Sequence, residues 1–283
     1  MGKPAASRAL FPTTLALLAF AGNSLLCRVA LRDTVIDPAS FTTLRLFSGA
    51  LALALIVRLR RRGQGGRGQW IPALALFGYA AGFSWAYVSL PAATGALLLF
   101  GAVQATMIGR GLFVGERLSA LQTCGLIVAI AGLLVLLVPG IGAPPLTGAL
   151  LMLGAGVAWG IYSLLGRGAA DPIGVTAGNF LFALPLALVV SALTLRHASV
   201  DLPGALYALV SGALTSGIGY AIWYAALPAL KATQAATVQL SVPVIAAAGG
   251  IVLLGESASW RLIVASMAIL GGIGLVLLER PRG

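Results

Sequence analysis

Ten stretches of about twenty mostly apolar residues follow one another with little between them, and few folds are open to such a chain. They fall near residues 11–31, 39–58, 70–90, 92–114, 118–138, 146–166, 173–195, 204–226, 232–254 and 260–279. A helix crossing a hydrocarbon layer of about 30 Å needs about 20 such residues. Inside that layer only helices and closed barrels satisfy their own backbone hydrogen bonds. Barrel strands run to about ten residues and alternate apolar with polar, whereas these runs are longer and continuous. Only 9% of the 283 residues are charged, against roughly 25% in a soluble domain, so the chain could not cover itself in water. The expectation is an all-α integral membrane protein with ten transmembrane helices. The first run, with Lys3 and Arg8 ahead of it, looks like a signal peptide, but it continues to about Leu31. The usual signal core has about 7–15 residues, so this run is expected to be a retained first helix.

The net charge of +11, from 18 Lys and Arg against 7 Asp and Glu, would suggest nucleic acid in a soluble protein. Here the basic residues gather at the ends of apolar runs, where they set topology, and no basic stripe is interleaved with aromatics as in a nucleic-acid groove. With the N-terminus inside, the cytoplasmic face holds Lys3, Arg8, Arg58, Arg60, Arg61, Arg62, Arg67, Arg117, Arg167, Lys231, Arg280 and Arg282. The outer face holds Arg32, Arg196 and Arg261, with Arg28 near the outer end of the first helix. Both termini are therefore expected to be cytoplasmic.

Much of the chain reads twice. The stretch 217–256 runs through a Leu-Pro break (Leu227-Pro228) to Gly255-Glu256, and 78–116 runs through Leu90-Pro91 to Gly115-Glu116. Asp37-Pro38 and Asp171-Pro172 precede the second and seventh runs, and seven residues after each proline stands a polar residue, Arg45 or Asn179. The breaker run from Pro139 to Pro145 separates an N-terminal five-helix repeat, 1–139, from a C-terminal one, 146–283. Five is odd, so the two repeats would lie inverted in the membrane around a central cavity, a common construction of secondary transporters.

The Ala158-Trp159-Gly160 of the sixth run, the aromatic approach to Leu227-Pro228, and the endings Leu254-Gly255-Glu256 and Val114-Gly115-Glu116 resemble the drug/metabolite transporter superfamily, in its EamA-type ten-helix branch. The resemblance covers residues 11–279 and is nearest to bacterial exporters of amino acids, aromatic ones included. It implies two five-helix repeats around a cavity, a place in the bacterial inner (plasma) membrane, and export of metabolites. Related small multidrug-resistance proteins trade protons through a first-helix carboxylate. The corresponding midsection here, Ala19-Phe20-Ala21-Gly22-Asn23, has none, which disfavours such an exchanger.

Ionisable groups in a bilayer usually mark function because an unpaired charge there is costly. Arg45, a third of the way into its run, either snorkels to the headgroups or pairs with Asp33 or Asp37, or else is a possible ligand for a substrate carboxylate, held bidentately. Arg110 is expected to snorkel or to pair with Glu116. Glu116 and Glu256 follow helix ends and are expected to cap the helices that come next. Trp70 and Trp260 suit the interfacial belt. The candidates for a cavity lining are the aromatics Phe83, Tyr87, Trp159, Tyr162, Tyr220, Trp223 and Tyr224 and the amides Asn23, Asn179 and Gln239. Packing between helices is the alternative for each. Gly78/Gly82, Gly111/Gly115 and Gly156/Gly160 offer small faces for close helix contact, and Pro185 and Pro243 can kink their helices. Cys27 and Cys124 have no metal-ligand spacing and are expected to be packing residues. The single His197 cannot make a zinc site.

The function expected is export of amino acids or similar small metabolites by alternating access, facilitative rather than proton-coupled. A same-fold transporter of nucleotide sugars, organic phosphates or drugs is the alternative. An enzyme is not expected, since the runs hold no nucleophile–base pair or paired carboxylates. No cofactor or metal is called for. The partners are a small-molecule substrate and the lipid bilayer, and monomer or dimer is left open.

Overall fold

The computed structural model describes residues 5–60, 66–115, 117–140, 142–230 and 232–278. Glu116 lies outside the described residues, as do Lys3, Arg61, Arg62, Lys231, Arg280 and Arg282. The chain is all helical among the described residues. Helices α1 (Ala5–Asp33), α2 (Pro38–Leu59), α3 (Trp70–Tyr87), α4 (Ala92–Phe113) and α5 (Ala120–Leu137) form the first half. The second half has α6 (Leu146–Leu165), α7 (Pro172–Leu193), α8 (202–226), α9 (232–254) and α10 (Trp260–Leu278). Nine of the ten are long and apolar enough to cross a membrane. The other is α3, 18 residues long, in which Trp70, Tyr79, Trp85 and Tyr87 dilute the aliphatic run.

Local sequence explains where helices start. Asp37 accepts hydrogen bonds from the N–H groups of Ala39 and Ser40 at 2.9 and 3.0 Å, with Pro38 in the first turn of α2. Asp171 accepts one from Gly174, with Pro172 following it. Ser119 and Gln122 make a reciprocal capping box at α5. Each satisfies donors that a helix start leaves open.

Two helices depart from the regular spans expected of the sequence. In α8 the eight residues Ser211–Ile218 form a π-helix between the α-helical turns Leu202–Val210 and Gly219–Ala226. The wider turn suits a segment with glycine at 212, 217 and 219, and Thr215 Oγ1 donates to the Ser211 carbonyl at 2.6 Å, drawing it from the regular ladder. In α9 the helix breaks at Leu240, between Ala232–Gln239 and Ser241–Leu254. Pro243 lacks an N–H and its ring clashes with the carbonyl four residues back, that of Gln239. Leu240 itself keeps helical dihedrals (φ −65°, ψ −16°), so the interruption is confined to that residue. Pro185 sits inside an unbroken α7.

The halves are interleaved. Helix α1 packs against α8 and α9, α2 against α7 and α8, α3 against α6 and α7, α4 against α6 and α9, and α5 against α10. These main pairings are unchanged when each helix is exchanged with the one five later, whereas α4 also meets α10. Small residues let the crossings close. A side chain on Gly82 would press on the Leu151 carbonyl and Ala155, and one on Gly156 or Gly160 would strike Leu99 and Ala102 or Thr106. Gly115 instead ends α4 at φ +96° with open space around it. The expectation for the cysteines is half right in place: Cys27 is buried, but Cys124 is exposed on the outer surface of α5. Trp70 and Trp260 are exposed first residues of α3 and α10.

Candidate functional site

The centre of the bundle, where α1, α2, α3, α6, α7 and α8 meet, holds a polar and aromatic cluster inside an otherwise aliphatic core. Arg45 of α2 is its one cation among the described residues. It is 2% exposed, so it does not snorkel to either face. Asp33 pairs with Arg32, and Asp37 caps α2, so neither carboxylate reaches it. Arg45 Nε donates to Ser216 Oγ at 3.4 Å and Nη2 to the Tyr79 hydroxyl at 2.9 Å, while Nη1 is buried without a partner. The guanidinium lies 4.9 Å from the Phe83 ring centroid and 5.2 Å from that of Tyr79. Among the described residues no acid forms an ion pair with it.

Magnitudes say what this environment lacks. Removing a cation from water costs several kcal/mol even after the protein relaxes. Two ring contacts at about 0.5–2 kcal/mol each and two hydrogen bonds from a charged donor at about 1.5–3 kcal/mol each offset that cost. A guanidinium has five N–H donors, and most of those of Arg45 face no acceptor. The group is solvated enough to stay buried, with its capacity for an anion unspent.

Around it the neutral polar groups are bonded to one another. Asn23 of α1 donates from Nδ2 to the Tyr79 hydroxyl at 3.2 Å and accepts at Oδ1 from Ser211 at 2.7 Å, with the Thr215 hydroxyl, whose proton is on the Ser211 carbonyl, 3.2 Å away. In a π-helix residues five apart share a face, so the wide turn of α8 presents Ser211 to Asn23 and Ser216 to Arg45 together. The same turn brings Gly212 against α2, where a Cβ would collide with the Arg45 carbonyl and Ser48 Oγ.

Trp159 of α6 joins the aromatic wall. Its ring centroid is 4.8 Å from Tyr79, 5.3 Å from Tyr162 and 5.1 Å from Tyr220. Phe83 bridges Tyr79 at 5.3 Å and Tyr87 at 4.7 Å, and Phe20 packs on Tyr220 and Trp223. On the α7 side Tyr162 donates to Thr176 at 3.3 Å, and Asn179 donates to Tyr162 at 3.5 Å while accepting from the Gln69 N–H at 2.9 Å.

Of the residues singled out in the sequence, Asn23, Arg45, Phe83, Trp159, Tyr162, Asn179 and Tyr220 meet in this cluster. Trp223 and Tyr87 are buried at its edges, and Tyr224 is half-buried beside Tyr162 and Thr176. Gln239 is half-buried at the break of α9, and among the described residues no hydrogen bond ties it to the cluster. Ser84 accepts from Thr42 and donates to the Ala80 carbonyl, fastening α2 to α3. Arg110 is exposed. Sequence reasoning missed Tyr79, Ser211, Thr215 and Ser216. Tyr79 continues the Phe83–Tyr87 stripe one helical turn back, and the serines stand in a Ser-Gly…Thr-Ser-Gly run unusual within an apolar span.

Glu256 corrects another expectation. It does not cap α10 but crosses to α4, accepting from the Ala92 N–H at both oxygens (3.1 and 2.8 Å) and from Arg28 Nε at 3.3 Å. Gly255, at φ +63°, ends α9 in the left-handed conformation that turns the chain toward α4.

An all-helical, multi-pass membrane chain with a polar cluster at its centre is an architecture that membrane transporters use. The model of the EamA-like transporter family matches it twice, over residues 8–138 and 146–278. The chain belongs to the EamA-like transporter family, and is a multi-pass protein of the bacterial inner membrane. It is 60% identical over 276 residues to an uncharacterised protein of Pseudomonas aeruginosa, covering 96% of each chain. It is 28% identical to a probable terminal-alkyne amino-acid exporter of Streptantibioticus cattleyicolor, covering 97% of this chain and 94% of that one. A solved crystal structure of a protein 21% identical superposes with a TM-score of 0.65 over 95% of this chain and 97% of its own, a likeness of fold.

Proposed function

We propose that the protein exports amino acids or similar small carboxylated metabolites across the inner membrane by alternating access, with Arg45 holding the substrate carboxylate. The buried, acid-free guanidinium carries this reading. A planar carboxylate takes two parallel N–H bonds from one guanidinium, supplying the anion that the cluster lacks. The aromatic wall of Tyr79, Trp159 and Tyr220 then receives the rest of the solute, and the hydroxyls and amides accept its ammonium group. The likeness to an amino-acid exporter supports the same class. A doubly charged phosphate would call for more than one cation, and Arg45 repels a cationic drug.

In this reading the halves, 1–139 and 146–283, are inverted repeats with both termini in the cytoplasm, as the gathering of Arg58, Arg60, Arg67, Arg117 and Arg167 toward one face supports. The central pairings exchange between halves, so tilting one bundle against the other opens the cluster to each side in turn. No acid shares the cluster among the described residues, which supports facilitated efflux. Counterflow of labelled amino acids in proteoliposomes without a pH gradient tests this. Exchange is expected in the wild type and is expected to fall sharply in Arg45→Gln. Flux that needs a proton gradient would sink the facilitative mechanism, and Arg45→Gln exchanging like wild type would sink the carboxylate role.

A further inference from the structure

Above the cluster, toward the proposed outer face, Arg28 and Glu256 close the bundle. Arg28 Nη1 donates to the carbonyls of Tyr87 and Val88 at 2.9 and 3.2 Å, holding the corner between α3 and α4. Its Nε meets one Glu256 oxygen at 3.3 Å, and Nη2 makes no hydrogen bond among the described residues. The side chains are 13% and 8% exposed. Both Glu256 oxygens are turned onto the Ala92 N–H at the start of α4, so the guanidinium edge that would bind a carboxylate bidentately is only half used. The constellation of an arginine and the N–H end of a helix is a general carboxylate site. Glu256 fills it imperfectly, held by the Gly255 turn.

This second arginine also stands near the first. Cys27, the residue before Arg28 on α1, is fully buried. Arg28 is five residues along α1 from Asn23, a rise of about 7.5 Å, and Asn23 shares the Tyr79 hydroxyl with Arg45. The latch spans α1, the α3–α4 corner and the α9–α10 link. Arg32 adds a bond to the Leu254 carbonyl at 3.2 Å.

We propose that Arg28 and the N-terminus of α4 form a second carboxylate subsite, which Glu256 plugs as a tethered anion and which a substrate carboxylate takes over as the outer face opens. One carboxylate replaces another on Arg28, and the displaced Glu256 carboxylate passes to water at the opening face. Releasing Glu256 unfastens α9–α10 from α4. The opening is thereby tied to an anion arriving from Arg45, and an empty carrier stays shut on that side. The inference rests on the export reading in its substrate but not in its latch, and the two are separated by testing the latch with no substrate present.

The native Cys27 thiol, next to Arg28 in the chain and fully buried, is the reporter. In a Cys124→Ala background in intact cells, an impermeant maleimide is expected to label Cys27 slowly. An added mixture of amino acids is expected to speed labelling several-fold, and the corresponding amides, which lack the carboxylate, are not. Glu256→Gln is expected to label at least several-fold faster with nothing added and to gain no more from amino acids. Arg28→Lys, which keeps the charge but cannot hold the α3–α4 corner in the same way, serves if Glu256→Gln does not fold. Should either folded variant label at the wild-type rate, the latch is wrong whatever the substrate. Should the amides speed labelling as well as the acids do, the carboxylate exchange is wrong.

Discussion

Seven residues past the Asp-Pro that opens α2 stands Arg45, and seven past the Asp-Pro that opens α7 stands Asn179. Both are buried, at 2% and 1% exposure, and both face a tyrosine of a neighbouring helix, Tyr79 or Tyr162. They differ in what is left over. Asn179 spends its oxygen on the Gln69 N–H and its nitrogen on Tyr162, which itself donates to Thr176. Arg45 carries a charge and an unpartnered Nη1 into surroundings that hold only neutral partners. One wall of the cluster is thus finished and the other is incomplete. The two equivalent positions of the framework differ in what they leave unpaired.

The largest expected effect separates those two roles. Arg45→Gln is expected to weaken amino-acid exchange about 10- to 100-fold, the loss of a charge-assisted pair worth about 1.5–3 kcal/mol. It is not expected to lower the melting temperature of the substrate-free protein, because it removes a charge that has no counter-ion. Asn179→Ala should do the opposite. It leaves the Gln69 N–H without its acceptor and removes one of the two partners of the Tyr162 hydroxyl, at a cost of about 1–3 kcal/mol in stability, with a smaller change in affinity. Melting curves in detergent and half-saturation in proteoliposomes read both quantities. If Arg45→Gln mainly destabilises while Asn179→Ala mainly loses affinity, the finished and unfinished walls have been assigned the wrong way round.

A second prediction asks how closely α8 must approach α2. A methyl group on Gly212 meets the Arg45 carbonyl and Ser48 Oγ, whereas one on Gly154 of α6 meets nothing within 4 Å. Gly212→Ala is therefore expected to destabilise by about 1–3 kcal/mol, as overpacking does, and to impair exchange by moving Ser211 and Ser216 away from Asn23 and Arg45. Gly154→Ala should be silent in both assays. An unchanged Gly212→Ala would mean that the π-helical turn yields easily, and that the serines are not held by it.

What the sequence disclosed follows from the physics it encodes. Helix positions were legible because the bilayer sets their length and apolar content, and the Asp-Pro pairs marked α2 and α7 by capping chemistry that acts within three residues. The burial of Arg45 was not legible. A cation a third of the way into a span could reach the headgroups or nearby acids, and only the paths of α3 and α8 across it decide otherwise. The same holds for Glu256, whose partner Ala92 is distant in the chain and is reached through the left-handed turn at Gly255. The π-helix of α8 left only its Ser/Gly composition in the sequence, since propensity does not distinguish a wide turn from a regular one.

The smallest expected effect lies at the two capping aspartates themselves. Asp171 accepts the N–H of Gly174 alone, whereas Asp37 accepts those of Ala39 and Ser40 and also that of Ser199 at 3.0 Å, fastening the α1–α2 link to the α7–α8 link. Partial burial pushes the Asp37 carboxyl up, but the hydrogen bonds from Ser40, Ser199 and Ala39 outweigh it and hold the group below the ordinary carboxylate value. A depressed folded value means that the ionised Asp37 stabilises the protein fully above the unfolded value of about 3.9, and that this contribution fades as pH falls through the lower folded value. Asparagine still caps a helix well, so Asp37→Asn isolates the charge. The melting temperature of Asp37→Asn should lie slightly below wild type at pH 7, and the two should converge as the medium is acidified below the ordinary carboxylate range. Asp171→Asn should differ less from wild type at pH 7, since a single N–H contact is at stake. A gap for Asp37→Asn that widens on acidification would reverse the sign argued for this carboxylate and break the contrast between the two caps.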